Sequence, residues 1–472
     1  TAPPDAATGR TRQAVPTSTF PMQAQYPLSS HAPDDILAYR HGQGVAAGRF
    51  FQDALSLAST LVPGGHVINV CHDRYLFAVG LAAGLLAGKV TLMPPSFAPQ
   101  VIAQMQTRYP ELRCLHDDRE RPEGLAGISV QDHLGGNTSP SNASPLIDAG
   151  QIAAIVFTSG STGEPTAHQK TWGRLCINGA AESARLGAAG VTIVATVPAQ
   201  HMYGFESSVL MALHGGASFW HGRPFYPADI VEALASVPRP RMLVSTPFHL
   251  STLFEAGLKL PACDLVLSAT APLSAELAER AEAVMGAPLL EIYGCTESGQ
   301  VASRRPVNGP AWQLLPGVQM ATDAEGAWVF DGHVEGRVLL SDRIEEQDTE
   351  HFLLLGRNAD MVNVAGKRTS LAHLNAQLAG IPGVVEGCFI QPDDEAVARD
   401  GTVQRLAALV VAPTLGPSEV LAALRQRIDP VFLPRPLLRV DAMPRNATGK
   451  LIRSDIMALY RSARRDSPPE TA

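Results

Sequence analysis

Three short stretches place reactive or phosphate-seeking side chains at the ends of apolar runs. The first, Thr158-Ser159-Gly160-Ser161-Thr162-Gly163-Glu164-Pro165, follows the apolar run Ile152–Phe157. A strand opening into small residues lets backbone N–H groups approach phosphate oxygens, and the hydroxyls of Thr158, Ser159, Ser161 and Thr162 add donors. Lys170 follows as a source of positive charge. The spacing of a Walker loop is absent, so a P-loop NTPase is excluded, while a Ser/Thr/Gly surface turn is the other reading this octet allows. The second stretch, Tyr293-Gly294-Cys295-Thr296-Glu297, again ends an apolar run, where ligands of open α/β sheets sit. Tyr293 could stack on a flat heterocycle and Glu297 is a hard oxygen ligand suited to Mg²⁺; a purely structural Tyr-Gly turn is the alternative. The third, Pro444-Arg445-Asn446-Ala447-Thr448-Gly449-Lys450-Leu451-Ile452-Arg453, presents Lys450 after a Thr-Gly turn at the head of a helix. Its bland reading is a solvated helix-start lysine.

Elements that could position these stretches are legible as alternating patterns. Strand-like runs are Val67–Val70, Ile152–Phe157, Val191–Val197, Met242–Ser245, Leu265–Ser268 and Leu289–Tyr293, continuous rather than alternating, which suits parallel strands covered on both faces. A helix is expected over Ala275–Met285, capped by Ser274, stopped by Gly286, and burying Leu277, Ala281, Val284 and Met285. The pattern implies an α/β fold: a large N-terminal domain of mostly parallel sheets covered by helices. Near residue 356 the pattern changes to helix (Leu371–Leu378), strands (Val384–Ile390 and Leu406–Val411), a helix after Ser418, a strand (Leu437–Val440) and a terminal helix from about Leu451. That is a smaller mobile α+β lid, so the expected organisation is an arm at 1–25 without fixed structure, a domain at 26–356 and a lid at 357–472.

The 472 residues carry 37 Lys and Arg against 45 Asp and Glu, a net charge of −8, which argues against a general nucleic-acid binder. With 45% hydrophobic and 17% charged residues a large core can form. Six scattered cysteines lack metal-site spacing and suit a reducing compartment. The longest apolar run, Leu76 to Ala87, is too short to span a bilayer and reads as a buried helix; with no signal-like N-terminus, a cytoplasmic location is expected.

Together the three stretches resemble the superfamily of adenylate-forming enzymes: acyl- and aryl-CoA synthetases, adenylation domains of peptide synthetases, and beetle luciferase. Weaker matches fall in the same order. Pro198 to Gly204 resembles the acid-pocket segment, Ser268 to Leu273 the adenine-side segment, Asp342 the ribose-binding aspartate, and Gly356 to Arg368 the hinge and its following loop. The resemblance implies that a carboxylate attacks the α-phosphorus of ATP, releasing pyrophosphate, and that the adenylate is then passed to the pantetheine thiol of CoA or an acyl carrier protein. It implies Lys450 as the catalytic lysine and Glu297 with Thr296 on Mg²⁺. Residues 158–163 would hold phosphates, Asp342 and Arg357 the ribose, and Ala269, Tyr293 and Gly294 the adenine. His201, Met202, Tyr203, Gly204, Phe248, Ala271 and Cys295 would line the acid pocket. Arg357, Ala359 and Asp360 would form the hinge, and Gly366, Lys367 and Arg368 the pantetheine path.

The chain departs from the pattern where Thr166 replaces the lysine after the phosphate-loop proline, where Ala359 stands at the usual pivot, and where Leu340-Ser341-Asp342 keeps only the aspartate. The mix of His, Tyr, Phe and Cys suits a flat aryl acid, and the abbreviated chain resembles bacterial ligases that prime aryl-polyene pigments, which suggests a hydroxybenzoate- or hydroxycinnamate-like substrate. A medium-chain or hydroxy fatty acid, or a homologue that binds nucleotide without chemistry, are the alternatives. Residues 435–465 hold eight basic side chains against Asp441 and Asp455, a net +6, which would attract CoA phosphates or an acidic carrier; a solvated helix face is the other reading.

Overall fold

The computed structural model describes residues 20–94, 96–119, 121–135, 140–159, 165–271, 273–357, 361–364, 367–392, 406–446 and 449–466. Two large sheets carry the N-terminal portion. The first has six strands in the order Pro165–Thr171, Ile152–Ser159, Val90–Met93, His66–Asn69, Arg113–His116, Ala126–Ser129, parallel except for the first pair. The second has eleven strands, whose parallel centre runs Leu289–Cys295, Leu265–Ser268, Arg241–Ser245, Thr192–Ala195, Ser218–Trp220 and Ile36–Arg40. One flank is antiparallel, through Gly299–Arg304, Trp312–Leu314, His351–Arg357 and Asp342–Glu346.

The apolar run read as a buried helix is Arg74–Leu86, with Asp73 accepting from the Tyr75 and Leu76 amides at its N-terminus. Its side chains join residues of both sheets, such as Val67 and Val244, in the largest core. Covered on all sides, it has no polar face, as burial between two layers requires. The helix Ala275–Met285 forms where expected: Ser274 accepts from the Leu277 amide, and Gly286 takes the left-handed conformation that ends it. The buried face is Ala278, Ala281 and Met285, whereas Val284 is exposed and Leu277 half-buried, so the apolar stripe is rotated from the expected one.

Of the expected arm, residues 1–19 lie outside the described residues, whereas Phe20 packs on the main core and Gln25–Pro27 pairs with Leu146–Asp148. At the other end, the large sheet stops at Arg357. Beyond it, Met361–Val364 and Lys367–Ser370 pair with each other, and Glu386–Ile390, Ala407–Val411 and Leu437–Arg439 form a separate sheet. The helices Leu371–Ala379, Pro417–Arg425 and Arg453–Asp466 enclose two cores distinct from those of the N-terminal portion.

Candidate active site

The phosphate-loop stretch closes a hairpin. Ile152–Ser159 runs antiparallel to Pro165–Thr171 with Thr158 opposite Thr166 and Ser159 opposite Pro165, which fixes the loop's two ends. Gly160, Ser161, Thr162 and Gly163 lie outside the described residues, and of Ser159 only the backbone is described. Strand alternation sends Ile155, Phe157 and Ala167 into a core, and Thr158, Thr166, His168 and Lys170 to the opposite face.

That face meets the Tyr-Gly-Cys-Thr-Glu turn. Leu289–Cys295 folds back on Gly299–Arg304 with a register shift at Tyr293/Gly294. At Gly294 a Cβ would stand 2.3 Å from the Gly299 carbonyl oxygen, so the turn requires glycine. Thr296 and Glu297 occupy the tip, with the Glu297 side chain 41% exposed. Lys170 is buried, and its ammonium donates to the Glu297 carbonyl oxygen at 2.7 Å. Burial lowers its pKa, opposed chiefly by the carboxylate of Glu206. Lys170 therefore fixes the backbone beneath the Glu297 carboxylate.

Behind it lies a polar network that the sequence reading missed. Asn178 donates to Glu206 at 3.0 Å, Gln300 to Glu182 at 2.7 Å, and His333 Nε2 lies 2.6 Å from the Gln300 carbonyl. Burial pushes Glu182 up to about 8, which favours its neutral form, and Glu206 up to about 7, where the charge of Lys170 opposes the rise.

The nucleoside side is set by sheet register. Tyr293 donates its hydroxyl to Asp342 Oδ2 at 2.7 Å, and its ring packs against Trp312 and Phe352 at 5.6 and 5.9 Å between centroids. Asp342 pairs directly with Arg357 across the antiparallel ladder, bringing the expected ribose and hinge residues together; of Arg357 only the backbone is described. Ala269 is buried and Ala271 half-buried, and Thr270 between them holds φ 78°, a conformation costly outside glycine and frequent at ligand sites.

Lys450 arrives from the C-terminal portion. Its N–H donates to Asn446 Oδ1 at 2.8 Å, and Asn446 N–H donates back to the Lys450 carbonyl at 3.0 Å. Gly449, at φ 75°, packs on Phe248, and the Arg445 guanidinium lies 5.4 Å from the centre of the Phe248 ring. Phe248, expected at the acid pocket, is 42% exposed and faces the lysine turn. Ala359, Asp360 and Gly366 lie outside the described residues, as do the side chains of Lys367 and Arg368.

A profile of the AMP-binding enzyme family matches residues 65–341. The chain belongs to the AMP-binding enzyme family. It is 29% identical to a 4-coumarate–CoA ligase of Rhodobacter capsulatus over 281 residues, 58% of this chain and 67% of that protein. It is 24% identical to a medium-chain fatty-acid–CoA ligase of Escherichia coli over 438 residues, 83% of this chain and 74% of that protein. Its fold matches that of O-succinylbenzoate coenzyme A synthetase from Bacillus subtilis in complex with ATP and magnesium ion, with TM-score 0.75 and 17% identity over 92% of this chain and 99% of that one.

In this AMP-binding enzyme the residues expected to line the acid pocket lie at or after the ends of parallel strands. His201 precedes the short helix Met202–Gly204, which continues into a π-helix, Phe205–Leu210, carrying Glu206 into the network beneath Glu297. Burial, with the charge of Arg223 second, lowers His201 to about 4, and the same two causes lower His249 to about 4. Both rings are therefore neutral at physiological pH and act as hydrogen-bonding surfaces. The Tyr203 hydroxyl is committed elsewhere: it lies 3.0 Å from both the Ser245 and Leu267 carbonyl oxygens, tying two strand ends together, and only its ring is available to a substrate. Cys295 is half-buried, its Sγ 3.1 Å from Ser298 Oγ. No helix among the described residues is long and apolar enough to cross a membrane.

Proposed function

We propose that this chain is an ATP-dependent acid–thiol ligase of the AMP-forming type. A carboxylate oxygen attacks the α-phosphorus, the bond to the β-phosphate breaks, and pyrophosphate leaves. A pantetheine thiol then attacks the acyl carbon and AMP leaves. The reaction spreads charge over oxygens around an in-line displacement, so the protein's contribution is positioning and electrostatics. The observation that carries the reading is convergence: the strand ends of the phosphate loop meet the Glu297 turn, Tyr293 is bonded to Asp342, and the Lys450 turn is seated on Phe248.

In this reading Lys450 bridges the carboxylate and the α-phosphate, and Asp342 accepts the ribose hydroxyls. Thr158 to Gly163 hold the β- and γ-phosphates. Glu297, with Thr296, suits Mg²⁺: its carboxylate is half-exposed and its backbone anchored, and Mg²⁺ commonly takes one or two carboxylates with phosphate oxygens and water. The ion would neutralise charge developing on the leaving diphosphate. Residues 357–472 act as a lid that pivots about 357–360, withdrawing Lys450 and bringing Gly366, Lys367 and Arg368 to the site for the thiol step.

An aryl acid is favoured as the substrate. Neutral His201, the Tyr203 ring and Cys295 suit a flat acid, and the relative from Rhodobacter capsulatus is a 4-coumarate–CoA ligase. The acceptor is CoA or the phosphopantetheine of a carrier protein, in a cytoplasmic setting. The test is a panel of hydroxybenzoates, hydroxycinnamates, and medium-chain and hydroxy fatty acids, scored by pyrophosphate release and by AMP formation. Turnover with an aryl acid is expected. Release with fatty acids alone would replace the aryl assignment, and no AMP with any acid would refute the ligase reading.

A further inference from the structure

We propose that His168 is a positioning residue of the triphosphate side of this site, orienting both the Thr158 hydroxyl and the Glu297 carboxylate; the inference rests on the ATP-dependent reading above. His168 Nε2 lies 3.0 Å from Thr158 Oγ1 and 3.7 Å from Glu297 Oε1. A ring nitrogen facing a carboxylate keeps its proton on that side, because a lone pair there would face negative charge. Nε2–H therefore donates to Thr158 Oγ1. The threonine's own proton is then left to be donated onward, at the point where the strand enters the phosphate loop. The carboxylate, beyond hydrogen-bond length, is attracted without having its lone pairs consumed, so they stay available to a cation.

Strand periodicity explains why one element can do this. Thr166, His168 and Lys170 are alternate residues of Pro165–Thr171 and share a face. Lys170 holds the Glu297 turn by its backbone carbonyl, and His168 faces the same residue's carboxylate. The basic residue that the family pattern places directly after Pro165 is Thr166 here, so basic character on this face begins one strand step further on, at His168.

The test uses the full chain as wild type, H168L, H168Q and H168N. Each is titrated with α,β-methylene-ATP plus Mg²⁺ and, separately, with AMP, and melting temperatures are recorded without ligand. Gln brings an amide N–H close to the position of Nε2, whereas Asn falls short of it. H168L is expected to weaken triphosphate binding about ten-fold or more, with AMP affinity kept within about two-fold and most of the loss recovered in H168Q. If H168L does not fold, H168Q binding more tightly than H168N is the expected result. Equal losses for AMP and triphosphate, no loss in H168L, or no difference between H168Q and H168N overturns the assignment. A wild-type chain that binds neither nucleotide overturns the ligase reading itself, and this assignment with it.

Discussion

Lys450 stands on a turn whose shape its neighbours impose: Asn446 bonds its amide, and Gly449 supplies the left-handed step that puts the backbone against Phe248. A lysine used in only one lid position should matter to only one half-reaction. Lys450→Ala is expected to cut acid-dependent pyrophosphate release by about 100-fold or more, while thioester formation from a supplied acyl-adenylate stays within about three-fold. Comparable losses in both assays would contradict a swivelling lid. On the nucleoside side, Tyr293→Phe removes a hydrogen bond to a carboxylate, an interaction of about 1.5–3 kcal/mol in general. The expected result is a KM for ATP raised about ten-fold with kcat little changed, and steady-state kinetics with ATP varied would read it. The turn that carries Glu297 was legible because it closes the apolar run from Leu289, which is a strand in the structure. The bond from Lys170 to the Glu297 turn was not legible, because sequence distance says nothing of the strand alternation that turns this side chain inward.

At the scale of elements, the parallel strands were legible because burial on both faces leaves continuous apolar runs such as Leu265–Ser268, every residue of which is buried. The antiparallel flank was not. Strands such as Trp312–Leu314 and Asp342–Glu346 are three and five residues long with mixed burial, too short to show a period against the surrounding turns. Nor does any pattern announce the buried network joining the helix Trp172–Leu186, the π-helix and the strand Gly299–Arg304, since a glutamate in a helix reads as surface. That network should set the pH dependence of stability. Glu182 has its pKa raised from about 4.5 to about 8 by burial, so between those values the folded chain keeps a proton that the unfolded chain has lost. Stability on this account is greatest below the unfolded value and falls as pH rises toward 8. Glu182→Gln keeps a hydrogen-bonding partner for Gln300 without the ionisation. It should flatten the decline in melting temperature between pH 5 and 8.5, by an amount on the order of a few kcal/mol in stability. Parallel melting curves for wild type and variant would show otherwise.

For the whole molecule, the joint between the two portions and the distribution of charge bear on the acceptor. Arg445 belongs to the joint: its guanidinium is ion-paired with Glu386 and lies against Phe248, so it is not part of a surface field. The other basic residues of 435–465, namely Arg435, Arg439, Lys450, Arg453, Arg461, Arg464 and Arg465, are all exposed. They form a positive region on a chain whose net charge is −8, so an acidic partner is drawn to this end and repelled elsewhere. Sequence counting found the region, but only the fold separates the arginine that braces the lysine turn from those that face solvent. A carrier protein spreads its negative charge over a surface, whereas CoA concentrates it in a few phosphates. Screening should therefore weaken the carrier reaction more steeply, since the Debye length falls to about 10 Å at 0.1 M salt. With carrier as acceptor, kcat/KM is expected to drop about ten-fold between 20 and 200 mM salt, and with CoA by clearly less. Charge reversal at Arg461 and Arg464, away from the lysine turn, should reproduce the carrier loss at low salt while leaving pyrophosphate release from the acid unchanged. A carrier rate indifferent to both salt and reversal would leave this face a solvated helix surface and make free CoA the acceptor to pursue.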